Sequence, residues 1–146
     1  MLKRYSFWLW SAIVFQLLNA AVHSLSFIIT PVPNNETERQ LLNLMSNYQM
    51  DMGGGFHRSM HQLFTALSAC FPLLFLLAAL NNIYVLKKGV NPSFLKGFLA
   101  IEVIIFGICF GLMAVLTFLP PIVMSGLVFV FLSVAFFLTP KERHVT

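Results

Sequence analysis

A chain of 146 residues that is 58% hydrophobic and only 10% charged is not an ordinary soluble domain, in which about 25% of residues carry charge. The net charge of +4 does not point to nucleic acid, because the basic residues stand beside the ends of apolar runs and not on one polar face. The two cysteines, Cys70 and Cys109, lie inside apolar runs with no Cys-x-x-Cys pair, which removes a disulfide-exchange function.

Four apolar runs, about 7–30, 56–86, 98–119 and 122–138, each reach or approach the roughly 20 residues that cross a hydrocarbon core. The expected fold is all-α, an integral membrane four-helix bundle in one domain over 1–146. An outer loop at about 31–55 joins the first two spans and carries a short amphipathic helix.

The first run follows Lys3 and Arg4. It exceeds the roughly 7–15 apolar residues of a signal peptide and is read as a span. Tyr5, Trp8 and Trp10 suit the interfacial belt at its start. Gln16, Asn19, His23, Ser26 and Thr30 recur at spacings of three and four, so they form one polar stripe.

In the loop, Pro31-Val32-Pro33 stops that helix. Asn35 can cap a second one over Glu36–Met52, whose Leu41, Leu42, Met45, Tyr48 and Met52 recur at helical spacing. Such a helix lies on the membrane surface or caps the bundle. Gly53-Gly54-Gly55 ends it in a hinge or tight turn. No Lys-Ser/Thr follows, so the triplet is not a phosphate loop.

The second run opens with His57, Arg58, His61 and Gln62 and continues with Thr65 and Ser68. Pro72 inside it removes one backbone hydrogen bond. The third run holds Glu102, and Gly107 with Gly111 as a small-x-x-x-small pair. Pro120-Pro121 forms the hairpin before the fourth run.

Lys3, Arg4, Lys87, Lys88, Lys96, Lys141 and Arg143 fall on one side of these spans, and only Arg39 and Arg58 on the other. The positive-inside rule therefore puts both termini in the cytoplasm.

Polar groups inside spans are expensive, so they mark candidate sites. Helices adjacent in sequence are usually neighbours. His23, His57 and His61 are therefore expected around one outward-opening cavity, with Asn19, Gln62, Asp51 and Arg58 beside them. The plain reading is that His57 and Arg58 are interfacial anchors while His23 and His61 satisfy each other or a backbone carbonyl; beside it three uses stay open. One is a pocket for an amphiphilic ligand or lipid headgroup, with no cofactor. A second is a metal, haem or quinone site of a redox subunit, with His57 and His61 at i and i+4 and His23 as third ligand. The third is an oligomeric transporter with Glu102 as its proton-linked group. Against that third use, Glu102 can reach inward or pair with Lys96 or Lys87 near the inner end of its helix. The first use leads, because no catalytic set is complete and most of the 16 Phe fall within spans. Expected partners are the bilayer, an amphiphilic ligand, and other copies or a larger membrane complex.

The stretch Leu44-Met45-Ser46-Asn47-Tyr48-Gln49-Met50-Asp51-Met52-Gly53, with Phe56-His57-Arg58-Ser59-Met60 and Leu63-Phe64 after it, resembles a family of small uncharacterised four-span bacterial membrane proteins. The resemblance is best over residues 44–64. It implies a bacterial inner membrane and brings no activity with it.

Overall fold

A computed structural model describes residues 4–29 and 31–140. It is helical apart from one small hairpin, in the order α1 (Arg4–Leu25), α2 (Glu36–Asn47), β1 (Gln49–Asp51), β2 (His57–Ser59), α3 (Met60–Lys88), α4 (Pro92–Leu116) and α5 (Leu119–Leu138). Among the described residues, α1, α3, α4 and α5 are long and apolar enough to cross a membrane. The chain divides into two compact units, one of residues up to Ala20 with those from Phe75 onward, the other Ala21–Leu74.

In the first unit the four long helices pack through aromatic and small side chains. Phe131 of α5 meets Trp8 and Phe15 of α1, at centroid distances of 5.8 and 5.3 Å. Phe75 of α3 meets Phe106 of α4 at 5.3 Å. On α4 the buried stripe is Leu95, Leu99, Glu102, Phe106 and Cys109. The outer stripe, Ile101, Ile104, Ile105, Ile108, Leu112 and Val115, is exposed. An apolar exterior around an inward carboxyl inverts the soluble pattern and suits a lipid solvent.

Close approach of α4 and α5 depends on two glycines used reciprocally. A Cβ on Gly107 would lie 3.1 Å from the Phe129 ring, and one on Gly126 would lie 3.0 Å from the Phe110 ring. The two phenylalanines stack at 6.1 Å with 12° between their planes. The expected Gly107–Gly111 pair is therefore corrected: a Cβ on Gly111 meets nothing within 4 Å, and the second small residue is Gly126 on the facing helix.

Helix ends differ from the sequence reading for identifiable reasons. Asn91 caps α4, accepting from Phe94 N at 2.7 Å, with Pro92 in the first turn. That starts the third span well before residue 98. Pro120 and Pro121 also lie in the first turn of α5, where missing N–H groups leave no bond unmade, so they begin the helix and do not form the hairpin. The residues between α4 and α5 are Thr117 and Phe118.

In the second unit, Asn35 caps α2 by accepting from Glu38 N at 2.9 Å, while the Glu38 carboxylate accepts from Asn34 N at 2.7 Å. Glu36 pairs with Arg39 at 2.6 Å on the exposed face. The Arg39 guanidinium holds the Glu36 carboxyl below the usual carboxylate value. The helix ends at Asn47, not Met52. Beyond it Gln49–Asp51 pairs antiparallel with His57–Ser59, in the register Gln49↔Ser59, Met50↔Arg58, Asp51↔His57. Gly53, Gly54 and Gly55 all take positive φ, of 80°, 61° and 82°, which only glycine adopts without strain. The glycine run is thus the turn of a hairpin.

Candidate functional site

Ser59 decides where the second span begins. Its Oγ accepts from Gln62 N at 3.3 Å, and its own N donates to Gln62 Oε1 at 3.0 Å. This reciprocal capping box makes Met60 the first residue of α3. His57 consequently lies on β2 and His61 on the first turn of α3, so the expected i, i+4 pair on one helix does not form. Gln62 is occupied as the cap partner.

The other sequence-selected residues are also placed individually. Arg58 donates from Nη1 to His57 O at 2.7 Å and sits 5.6 Å over the Phe56 ring. Asp51 accepts from Gly53 N at 2.8 Å, closing the hairpin turn. His23, half-buried near the end of α1, packs against Phe71 at 5.2 Å and Phe27 at 6.0 Å. Its Nε2 is buried without a hydrogen-bond partner. The polar stripe of the first span ends with it. α1 stops at Leu25, Ser26 is in the following turn, and Thr30 lies outside the described residues. Among the described residues no group of three or more His, Cys, Asp or Glu could hold a metal ion. His23, His57 and His61 form no such group among the described residues.

One residue of the expected cluster does line a cavity. His61 shares about 340 Å³ with Ser26, Phe27, Ile29, Pro31, Phe64, Thr65 and Ser68. Two hydroxyls there have already committed their protons to backbone: Thr65 Oγ1 donates to His61 O at 2.9 Å, and Ser26 Oγ to His23 O at 2.6 Å. What remains on each oxygen is acceptor capacity. Pro72 has no N–H, so the Ser68 carbonyl four residues earlier lacks its helical donor. Among the described residues, no Lys, Arg, Asp or Glu lines this cavity. It is a recess rich in hydrogen-bond acceptors, with an apolar wall.

The first unit holds a second polar feature, only part of which the sequence reading anticipated. Asn82 Nδ2 donates to Glu102 Oε2 at 2.7 Å and to Gln16 Oε1 at 3.3 Å. The three side chains come from α3, α4 and α1, and all are buried. Gln16 Nε2, Asn82 Oδ1 and Asn19 Nδ2 are buried with no partner. Glu102 lies ten residues into α4, about 15 Å along its axis. The expected pairing with Lys96 or Lys87 is not observed, because Lys96 is one and a half turns nearer the helix start. Its Nζ lies 3.5 Å from Thr139 O and 5.2 Å over the Phe136 ring. Asn82 lies on the buried stripe Phe75, Ala78, Ala79, Asn82 and Val85 of α3.

No family model, no curated protein and no solved structure matches this chain.

Proposed function

We propose that this chain is a small multi-pass binding module of the bacterial inner membrane, with both termini cytoplasmic. In this reading its His61 cavity holds the polar head of a neutral amphiphile that carries hydroxyl donors. The observation that carries the reading is the cavity's lining: His61, Ser26, Thr65 and Ser68 on a polar side, with Phe27, Ile29 and Phe64 on an apolar one. Its volume is within the ordinary range for small-ligand pockets, about 300–1,000 Å³.

The chemistry of the lining selects the head group. Hydroxyls whose protons are committed to backbone carbonyls, and a carbonyl that lost its donor to Pro72, reward a ligand that donates. An anionic head would find as donors there only the Ser68 hydroxyl and one imidazole, with no cation among the described lining residues. Arg58, the cation that an anionic ligand would need, is engaged by His57 O and the Phe56 ring and is absent from the lining. The orientation rests on the seven-to-two split of Lys and Arg, and the bacterial membrane on the resemblance over residues 44–64.

Photolabelling in lipid nanodiscs tests the reading. A long-chain alcohol bearing a diazirine should label the peptide containing Phe64, and an alkyl phosphate of equal chain length should label it less. His61→Ala and Ser68→Val should reduce labelling by the alcohol. Equal labelling by the two probes, or labelling unaffected by both substitutions, would sink the neutral-donor assignment.

A further inference from the structure

Four of the seven methionines, Met45, Met50, Met52 and Met60, fall between residues 45 and 60. Three of them, from three different elements, line one recess. Met45 is on the last turn of α2, Met50 is the middle residue of β1, and Met60 opens α3. With Leu44 and Tyr48 they line an open, shallow recess of about 370 Å³. Local structure places each of them. The Asn35 cap starts α2, the Gln49↔Ser59 pairing anchors β1, and the Ser59–Gln62 capping box sets Met60 at the first helical position.

A thioether is a neutral, polarizable, soft donor, and a site of thioethers selects Cu(I) over harder divalent ions. The lining offers no carboxylate, imidazole or thiolate, so Zn²⁺, Mg²⁺ and Ca²⁺ find none of their preferred ligands there. We propose that Met45, Met50 and Met60 form a binding site for a soft monovalent cation, Cu(I), with one sulfur from each of three elements. The site is independent of the His61 cavity and shares no lining residue with it. Because a thioether has no proton to lose, binding here is insensitive to pH, unlike sites of His or Cys, whose ligands must first be deprotonated.

The test uses the whole protein in detergent micelles, titrated without oxygen with Cu(I) against a chromophoric Cu(I) chelator, and in parallel with Ag(I) as a redox-inert stand-in. One equivalent should bind, with affinity unchanged between pH 7 and 5, and excess Zn²⁺ should not displace it. Met→Leu conserves volume and apolar character while removing only the sulfur. Met45→Leu, Met50→Leu or Met60→Leu should each weaken binding by at least the roughly 10-fold that even loss of an outer support costs a metal site. The triple variant should bind nothing while melting like the parent. Met113→Leu and Met124→Leu, in the long helices, should bind as the parent does. No binding by the parent, displacement by Zn²⁺, loss of binding at pH 5, or full binding by the triple variant would each overturn the assignment.

Discussion

Asn82 Nδ2 lies 2.7 Å from Glu102 Oε2, joining α3 to α4 inside the apolar unit. The carboxyl has no basic neighbour along its own buried stripe, which is Leu95, Leu99, Phe106 and Cys109. The amide is therefore what satisfies it. Hydrogen bonds between membrane helices average only about 0.6 kcal/mol, with a maximum near 1.7, because helices separated within the bilayer also find partners. A short bond to a buried carboxyl belongs at the upper end of that range. Asn82→Leu, which keeps the heavy-atom branching but is bulkier, should lower stability by at least about 1.5 kcal/mol in reversible unfolding from micelles. Glu102→Gln retains an acceptor for Asn82 and should lose less. Equal losses in the two variants would show that the pair contributes through shape alone.

Phe110 and Phe129 each rest on a glycine of the opposite helix, and only one residue of the Gly107–Gly111 pair takes part. Gly126→Ala and Gly107→Ala should each destabilise by about 1–3 kcal/mol, the usual effect of overpacking a filled contact. Gly111→Ala meets open space and should be neutral, or gain up to about 1 kcal/mol from helix propensity. Thermal unfolding of the three variants in one detergent separates them. A loss at Gly111 equal to that at Gly107 would contradict the observed facing of α4.

The spans were legible because an apolar run needs only to be counted. Asn82 was not legible in the same way. Asn81 and Asn82 are adjacent amides, and only helix rotation decides that Asn81 is exposed while Asn82 is buried. The hairpin was missed because three-residue strands show no usable alternation, so the glycine triplet read only as a break. The i, i+4 pair of His57 and His61 failed on one boundary. Ser59-x-x-Gln62 is a capping box visible in the sequence, and weighing it would have put the start of α3 at Met60 and His57 off that helix. That Met45, Met50 and Met60 line one recess was invisible for a different reason: it depends on how α2, β1 and the first turn of α3 fold against one another.

Lys96 stands at the end of α5, with Nζ 3.5 Å from Thr139 O and 5.2 Å over the Phe136 ring. A cation there meets the negative end of the helix dipole and a ring face, each contributing on the order of 0.5–1 kcal/mol. Lys96→Met keeps most of the apolar stem and should lose about 1 kcal/mol, while Lys96→Arg should lose little. Raising the salt concentration should shrink the difference between parent and Met variant. A salt-independent difference would assign the loss to packing of the stem.

The orientation of the chain is open to direct labelling. Seven of nine basic residues flank one side of the four long helices, and moving lysine or arginine across the bilayer is what the insertion machinery resists. In the proposed orientation the loop with α2 faces outward and the Lys87–Asn91 turn faces the cytoplasm. Cys70 is free and exposed and Cys109 is free and buried, so the labelling background needs Cys70→Ser and Cys109→Ser. Single cysteines at Asn34 and Thr37, which lie at the exposed start of α2, should react with an impermeant maleimide added to intact cells. Cysteines at Lys88 and Asn91 should react only after the membrane is opened. The reverse pattern would place the loop, the His61 cavity and the methionine recess in the cytoplasm. That outcome would leave their internal geometry standing while changing which compartment supplies the ligand.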